Sequence, residues 1–559
     1  MHPYLFQKLK SKLDSEQSRI SQSTVGIRTA LVYPNTYKLG MSSLGYQIIY
    51  EMINSMPIAS CERVFLPDAD ELRIYKNTKT EITSLESSSK LNEFDVIAFS
   101  LHFELDYTNI LKILDMGNVP FKSSARTIHN PIVIAGGPAV TINPEPVADF
   151  FDAIVIGDGE ECITQIYNSL YVNQDKDRKE VLRELSKIEG VYVPSLYEPQ
   201  YSKDGIFTGI KALDGAPEII NKSTVKNLSK YPNSSCIITK EAEFGEINLI
   251  EIGRGCGRGC RFCAAGFINR PLRSRNVEIK PNSRYGLVGA AVYDNSSSKD
   301  LCEKIINSDG SFSISSMRLE TLTDEIAKLL KNGGQKTVTI APEAGSQRLR
   351  NIINKPATEE DILSAVKSAV NAGIANIKMY FMIGLPFETN EDVEEIVRLV
   401  KKVKKNAVST GLHMSVSSFV PKPHTPFQWH PMEQVKTLRK RYAYLKKELP
   451  SIGGVNFGGE SPRLSIVQGV LSRGDRRLGK AIIYAYKNND DYAQGFREAN
   501  IDINYYIYRK IDNNTQLPWN HINSGVFTEY LWIEYNNSMN NHITSICDFN
   551  NCQKCGACK

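Results

Sequence analysis

Cys256, Cys260 and Cys263 stand in the run Gly253-Arg-Gly-Cys-Gly-Arg-Gly-Cys-Arg-Phe-Cys-Ala264. Three thiolates on one glycine-rich loop can hold three corners of a cubane 4Fe-4S cluster and leave the fourth iron open to a ligand. A structural zinc would be closed by a fourth Cys or His, and the next cysteine, Cys302, lies beyond an expected strand and helix. A second set ends the chain: Cys547, Cys552, Cys555 and Cys558 put four thiols within twelve residues. That spacing fits either a tetrahedral zinc or an auxiliary iron-sulfur cluster, with a redox dithiol at Cys555-Gly-Ala-Cys558 as a weaker third option. Seven of the eleven cysteines are clustered in this way, which in a reducing compartment favours metal over disulfides.

The elements that must position these thiols read as strand and helix alternation. In 559 residues, 41% of them hydrophobic, there is room for three or four domains, each with its own core. The 67 basic and 62 acidic residues are too balanced to argue for a nucleic-acid partner. The N-terminus is interrupted by charges, and no run approaches the ~18 apolar residues of a membrane span, so no membrane partner and a cytoplasmic location are expected.

We expect an N-terminal extension over residues 1–23, then a doubly wound parallel α/β sheet over 24–188. Its strands are the apolar runs beginning at Ile27, Asp95, Pro131 and Asp152. Ligands of such sheets sit beyond the strand carboxyl ends, which here means Ser100, Gly136-Gly137 and Gly157-Asp-Gly159. Residues 189–246 read as a packed connector. Over 247–428, strands near Leu249, Tyr285, Phe312, Lys336, Ile377 and His413 alternate with helices opened by Thr323, Thr358-x-x-Asp361 and Thr389-x-x-Asp392. Six such units suit a partial (β/α)6 TIM-type barrel with its site at the strand carboxyl ends. A mixed α/β region (429–545) and the cysteine tail (546–559) complete the chain. Within the mixed region, Ser472-Arg-Gly-Asp-Arg-Arg477 reads more readily as an internal ion-pair network than as a phosphate site.

The cysteine spacing, Phe262 before the last cysteine and the strand leading into the loop resemble the signature of the radical S-adenosylmethionine (SAM) superfamily. That resemblance implies that the open iron chelates SAM and that Cys256, Cys260 and Cys263 are the catalytic cluster ligands. It also implies SAM-binding roles for Gly286 and Gly289, for Ser315, Ser316 and Arg318, for Glu343 with Arg348 beyond it, and for Gly384-Leu-Pro-Phe-Glu388. The acidic residue usual beside the glycine pair is missing. Leu31-Val-Tyr-Pro34, Pro342-Glu-Ala-Gly-Ser346 and the cysteine tail together resemble a radical SAM family with an N-terminal cobalamin-binding-like domain. Cobalamin is thus implied at Ser100, Gly136, Gly137, Gly157 and Gly159. The Asp-x-His-x-x-Gly motif that supplies an axial imidazole is absent, so either cobalamin binds without a histidine or the domain keeps the fold without the cofactor. The expected activity is reductive SAM cleavage, leading with cobalamin to methyl transfer. Without cobalamin and with a second cluster at the tail, sulfur insertion or RNA methylthiolation is the alternative. A non-catalytic iron-sulfur binding protein is a third reading. The substrate is a small molecule or RNA, and the electron donor a flavodoxin or ferredoxin.

Overall fold

The computed structural model describes residues 2–21, 25–290, 292–294, 297–315, 317–547, 552 and 554–558. The chain forms two compact units. The first comprises Met1–Ile247, Leu471–Ile503 and Asn514–Gly525, and the second Asn248–Val470, Asn504–Asn513 and Val526–Lys559. The region 429–545 is therefore shared between the units, and 189–246 lies within the first.

The first unit is built on six strands: β1 (Ile27–Tyr33), β2 (Ala59–Phe65), β3 (Val96–Ser100), β4 (Ile132–Gly136), β5 (Ala153–Val155) and β6 (Val191–Tyr192). Their order is β2-β1-β3-β4-β5-β6, parallel except for β6. This is the doubly wound arrangement, with its switch point between β1 and β3. The central strands are almost continuously buried, as parallel strands covered on both faces must be. β2 escaped the sequence reading because Glu62 and Arg63 interrupt its apolar pattern. Arg63 is buried all the same, because Glu16 and Glu86 accept from its guanidinium at 2.7 and 2.6 Å.

The second unit carries seven parallel strands: β7 (Asn248–Glu251), β8 (Arg284–Val288), β9 (Ser311–Ile314), β10 (Thr337–Glu343), β11 (Asn376–Ile383), β12 (Gly411–Ser418) and β13 (Val455–Gly459). β7-β8-β9 form one ladder and β10-β11-β12-β13 another, and a parallel bridge between Met317 and Ile340 links them. Among the described residues β7 and β13 are not paired, so this is an open arc of the partial-barrel kind. The expected helices begin where the threonines place them. Thr323 accepts from the Ile326 amide, and Thr358 and Thr389 form reciprocal capping boxes with Asp361 and Asp392. β13 is an addition to the six expected strands; its Gly458-Gly459 end hides the strand signal.

Candidate active site at the cysteine loop

The cysteine loop follows β7, whose last residue, Glu251, accepts from Arg254 at 3.0 Å and from buried Arg275 at 2.9 Å. Gly255 has φ +93°, and a Cβ there would lie 2.5 Å from the carbonyl oxygens of Asn269 and Pro271, so only glycine lets the loop sit so close to its support. Gly259, at φ +86°, makes the turn before Cys260, and Asn354 Nδ2 donates to its carbonyl at 3.2 Å. The three thiols are half-buried. Burial, and then the neighbouring thiol of Cys260, push the Cys263 thiol up to about 12, and Cys260 is raised as well. Crowded thiols are a poor arrangement for free cysteines, but a bound cluster reverses the cost by holding each as a thiolate.

Between Cys260 and Phe262 lies Arg261, fully buried. Its backbone amide donates to the Ile353 carbonyl at 3.0 Å. Its guanidinium donates to the carbonyls of Ile352 and His542 at 2.8 and 2.7 Å and to Glu534 at 3.2 Å. Thr544 ties Glu534 in turn, donating from Oγ1 at 2.7 Å, and its amide donates to Asn354 at 2.9 Å. The loop is thus clamped by the helix Thr528–Met539 and the segment after it. Sequence reading missed this clamp, because Arg261 has no partner nearby in the chain and its role depends on residues some 270 positions away.

The strand ends bring cationic side chains to the thiols. Arg318 Nη2 lies 3.9 Å from Cys256 Sγ. Lys355, another residue the sequence did not flag, pairs with Glu343 at 3.1 Å, and both Lys355 and Arg318 pull the Cys260 thiol down against its burial. Glu343 sits at φ +68° where the β10–β11 register shifts. A bulge of this kind re-aims a side chain, and a non-glycine residue in the left-handed region is costly enough to be worth noting at a candidate site.

The other expected residues are placed more variously. Gly286 lies within β8, buried, while Gly289 is one residue past the strand end, where a Cβ would be 3.5 Å from the Gly253 carbonyl oxygen. Ser315 follows β9, and Ser316 lies outside the described residues. Phe262 is half-buried beside the thiols. Arg348 is committed to the loop after β11, donating to the Phe387 carbonyl at 2.9 Å and pairing with Asp392. Glu388 turns inward: it accepts from the Gly384 amide at 2.5 Å and from Arg441 at 2.7 Å, and burial pushes its carboxyl up to about 8. It shapes the loop from behind, and Phe387, at φ +63°, is the residue that loop exposes. The Phe419–Trp429 segment after β12 is buried at His424 and Trp429; Trp429 packs edge-on against Trp532 at 5.1 Å.

β10, β11 and β12 alternate strictly, with Val338, Ile377, Met379, Leu412 and Met414 buried and Thr339, Lys378, Tyr380, His413 and Ser415 more open. These partly polar positions form one face of the sheet.

All four tail cysteines belong to the second unit. Cys547 donates its backbone N–H to the Gly257 carbonyl at 2.9 Å, next to Cys256. Cys547, Cys552 and Cys555 line a cavity of about 260 Å³ together with Gly257, Arg270 and Tyr530, and Cys558 is exposed. Burial and Cys552 raise the Cys547 thiol to about 11. Among the described residues no three His, Cys, Asp or Glu side chains converge as a lone ion requires. A cubane does not need that convergence, since each iron takes its own thiolate.

The residues expected at a corrinoid all lie in the first unit. A Cβ on Gly157 (φ +98°) would fall 2.3 Å from the Ser223 carbonyl oxygen, because residues 222–225 run along this loop. The Asp158 amide donates to Ser223 and its carboxylate accepts from Val225, both at 2.9 Å. Gly159 begins a helix, with the Ile49 side chain 3.3 Å from where its Cβ would be. A Cβ on Gly137 would lie 2.5 Å from the Leu101 carbonyl, and Gly136 closes β4. Ser100 Oγ lies 3.0 Å from Nε2 of exposed His102. At Gly137 and Gly157 the place a Cβ would take is occupied by the chain's own backbone. The Ser472–Arg477 run is internal too: Arg476 pairs with buried Glu145 at 3.1 Å and Arg477 with Asp475 at 2.6 Å.

A parallel α/β arc with three thiols on the loop after its first strand defines an iron-sulfur enzyme of the SAM-cleaving class. The chain belongs to the radical SAM superfamily. Residues 45–194 match the model described as radical SAM proteins, N-terminal, and residues 286–400 that of the radical SAM superfamily. The chain is 32% identical over 469 residues to the uncharacterized protein MJ0966 of Methanocaldococcus jannaschii, covering 82% of this chain and 90% of that one. It is 25% identical over 217 residues to the ribosomal protein uS12 methylthiotransferase RimO of Thermotoga sp., covering 34% of this chain and 50% of that one. A solved structure of the cobalamin-dependent SAM radical enzyme OxsB is similar at a TM-score of 0.47 and 13% identity, covering 92% of this chain and 79% of that one. Membership implies a 4Fe-4S cluster and SAM as cofactors and an electron donor as partner. Among the described residues no helix is long and apolar enough to cross a membrane.

Proposed function

We infer that this enzyme cleaves SAM reductively at a cluster held by Cys256, Cys260 and Cys263. When bound, that cluster supplies one electron to SAM, whose sulfur–C5′ bond breaks to give methionine and a 5′-deoxyadenosyl radical. The observation that carries the reading is the convergence of Arg318, Lys355 and Glu343 on the three thiols. Arg318 and Lys355 offset the negative charge of a thiolate-ligated cluster and hold a carboxylate nearby, and Glu343, freed from Lys355, can accept from an ammonium group. Gly384, Phe387 and the Arg348–Asp392 pair shape the neighbouring strand end for the adenosine. Arg261 and Glu534 fix the loop.

The tail cysteines are assigned to a second iron-sulfur cluster in preference to zinc, on the ground that Cys547, Cys552 and Cys555 line a cavity against the SAM loop. That assignment, together with the packing of residues 222–225 on the Gly157 loop, favours sulfur insertion of the methylthiotransferase type over corrinoid-dependent methyl transfer as the reaction. A flavodoxin or ferredoxin is the electron donor, and the substrate is a small molecule or RNA.

The test is anaerobic reconstitution followed by assay for 5′-deoxyadenosine, with iron, sulfide and corrinoid measured on the same sample. The expected result is SAM cleavage with about eight irons per chain and no corrinoid. Full iron loading without cleavage would support a binding protein instead, and stoichiometric corrinoid would restore methyl transfer.

A further inference from the structure

One buried cation stands between the two cysteine sets. Arg270 is 4% exposed and donates from Nε to the Gly266 carbonyl at 3.0 Å. Its guanidinium lies over the Phe267 ring at 4.8 Å and the Tyr530 ring at 5.8 Å, which fixes it from two sides. Nη2 abuts the backbone before Cys260, since a Cβ on Gly259 would come within 3.3 Å of it. The same side chain lines the cavity formed with Cys547, Cys552 and Cys555. The tail is held there by its own backbone, through the Cys547 amide on Gly257 and the Phe527 amide on the Cys555 carbonyl, each at 2.9 Å. Gly556, at φ +90°, would drive a Cβ to 2.8 Å from the Phe527 ring, so the tail passes that ring as closely as glycine allows.

We propose that Arg270 is a charge shared by the SAM loop and the tail, and that it sets the redox potential of the tail cluster. The proposal rests on the reading that the four tail cysteines hold an iron-sulfur cluster. One-electron reduction makes such a cluster more negative, and a fixed, buried guanidinium beside its thiolates favours the reduced form and raises the potential. Burial strengthens the effect, because little water intervenes to screen it. Arg270 also lies in hydrogen-bonding reach of Cys555. On the loop side it meets the backbone at Gly259, so the loop cluster should respond less. Arg270 is a positioning residue in this account, acting on the cluster through charge.

The test uses the full chain carrying C256A, C260A and C263A, reconstituted anaerobically so that iron can load only at the tail. The tail potential is then titrated by electron paramagnetic resonance with and without R270Q. Iron at the tail, a midpoint shifted negative in R270Q and a return toward the parent value in R270K are expected. Iron at the tail with a midpoint unmoved by R270Q would overturn the role of Arg270 while leaving the cluster in place. No iron at the tail would instead overturn the cluster reading. Should R270Q fail to load iron, R270K decides: retained iron at the parent potential supports the charge, and lost iron shows that the shape of arginine, not its charge, is what matters.

Discussion

Gly157 in the first unit and Gly255 in the second both take a left-handed turn beyond a parallel strand, at φ +98° and +93°, and both press against backbone carbonyls of their own chain. At Gly157 the pressing segment, 222–225, runs along the loop and takes hydrogen bonds from it. At Gly255 the supporting carbonyls belong to Asn269 and Pro271, and the thiols beyond remain half-exposed with Arg318 and Lys355 brought to them. A glycine turn at a strand end is therefore a place where backbone can approach something. Whether that something is a ligand or the chain itself is decided by the segments that fold back.

The sharpest way to break this comparison is to remove the thiols. C256A/C260A/C263A should lose SAM cleavage to background and shed about four irons per chain, read by 5′-deoxyadenosine and iron assay. Next comes the clamp. E534A leaves Arg261 buried without its carboxylate and should cost about 3–5 kcal/mol, read as a lower denaturant midpoint for the second unit. G157A places a Cβ against the Ser223 carbonyl at positive φ and should cost about 1–3 kcal/mol of first-unit stability, with cleavage per folded molecule unchanged. If cleavage fell in proportion to a lost cofactor, the first loop would be a site after all. The smallest effect is titration of Glu388. The fold prefers its neutral form, so this group's stability contribution is complete below its unfolded value near 4.5 and drains as pH rises through about 8. E388Q should flatten that decline in a series of melts between pH 5 and 9, and a decline left unchanged by E388Q would show that Arg441 holds the carboxylate ionised throughout.

The backbone plan was largely legible because it rests on local signals: apolar runs for β1, β3 and β4, threonine caps for the helices, and cysteine spacing for the loop. What stayed hidden depends on partners far apart in sequence. β2 looks too polar until Glu16 and Glu86 neutralise Arg63. Arg261 and Arg270 have no sign of a role in their local sequence, because the partners Glu534 and Tyr530 come from the C-terminal helix. Glu388 was legible as a strand-end carboxylate but not as one turned inward onto Arg441, which lies 53 residues on. Similarly, nothing local to Gly157 announces that Ser223 will run against it.

The most direct test of the central claim, that the Cys256 loop alone holds the SAM-binding cluster, uses the chain carrying C547A, C552A, C555A and C558A. Its dithionite-reduced electron paramagnetic resonance spectrum would be recorded with and without SAM. The account predicts about four irons per chain and a spectrum that changes on adding SAM, as ligand reaches the open iron. A chain with those irons loaded and a spectrum indifferent to saturating SAM would contradict it.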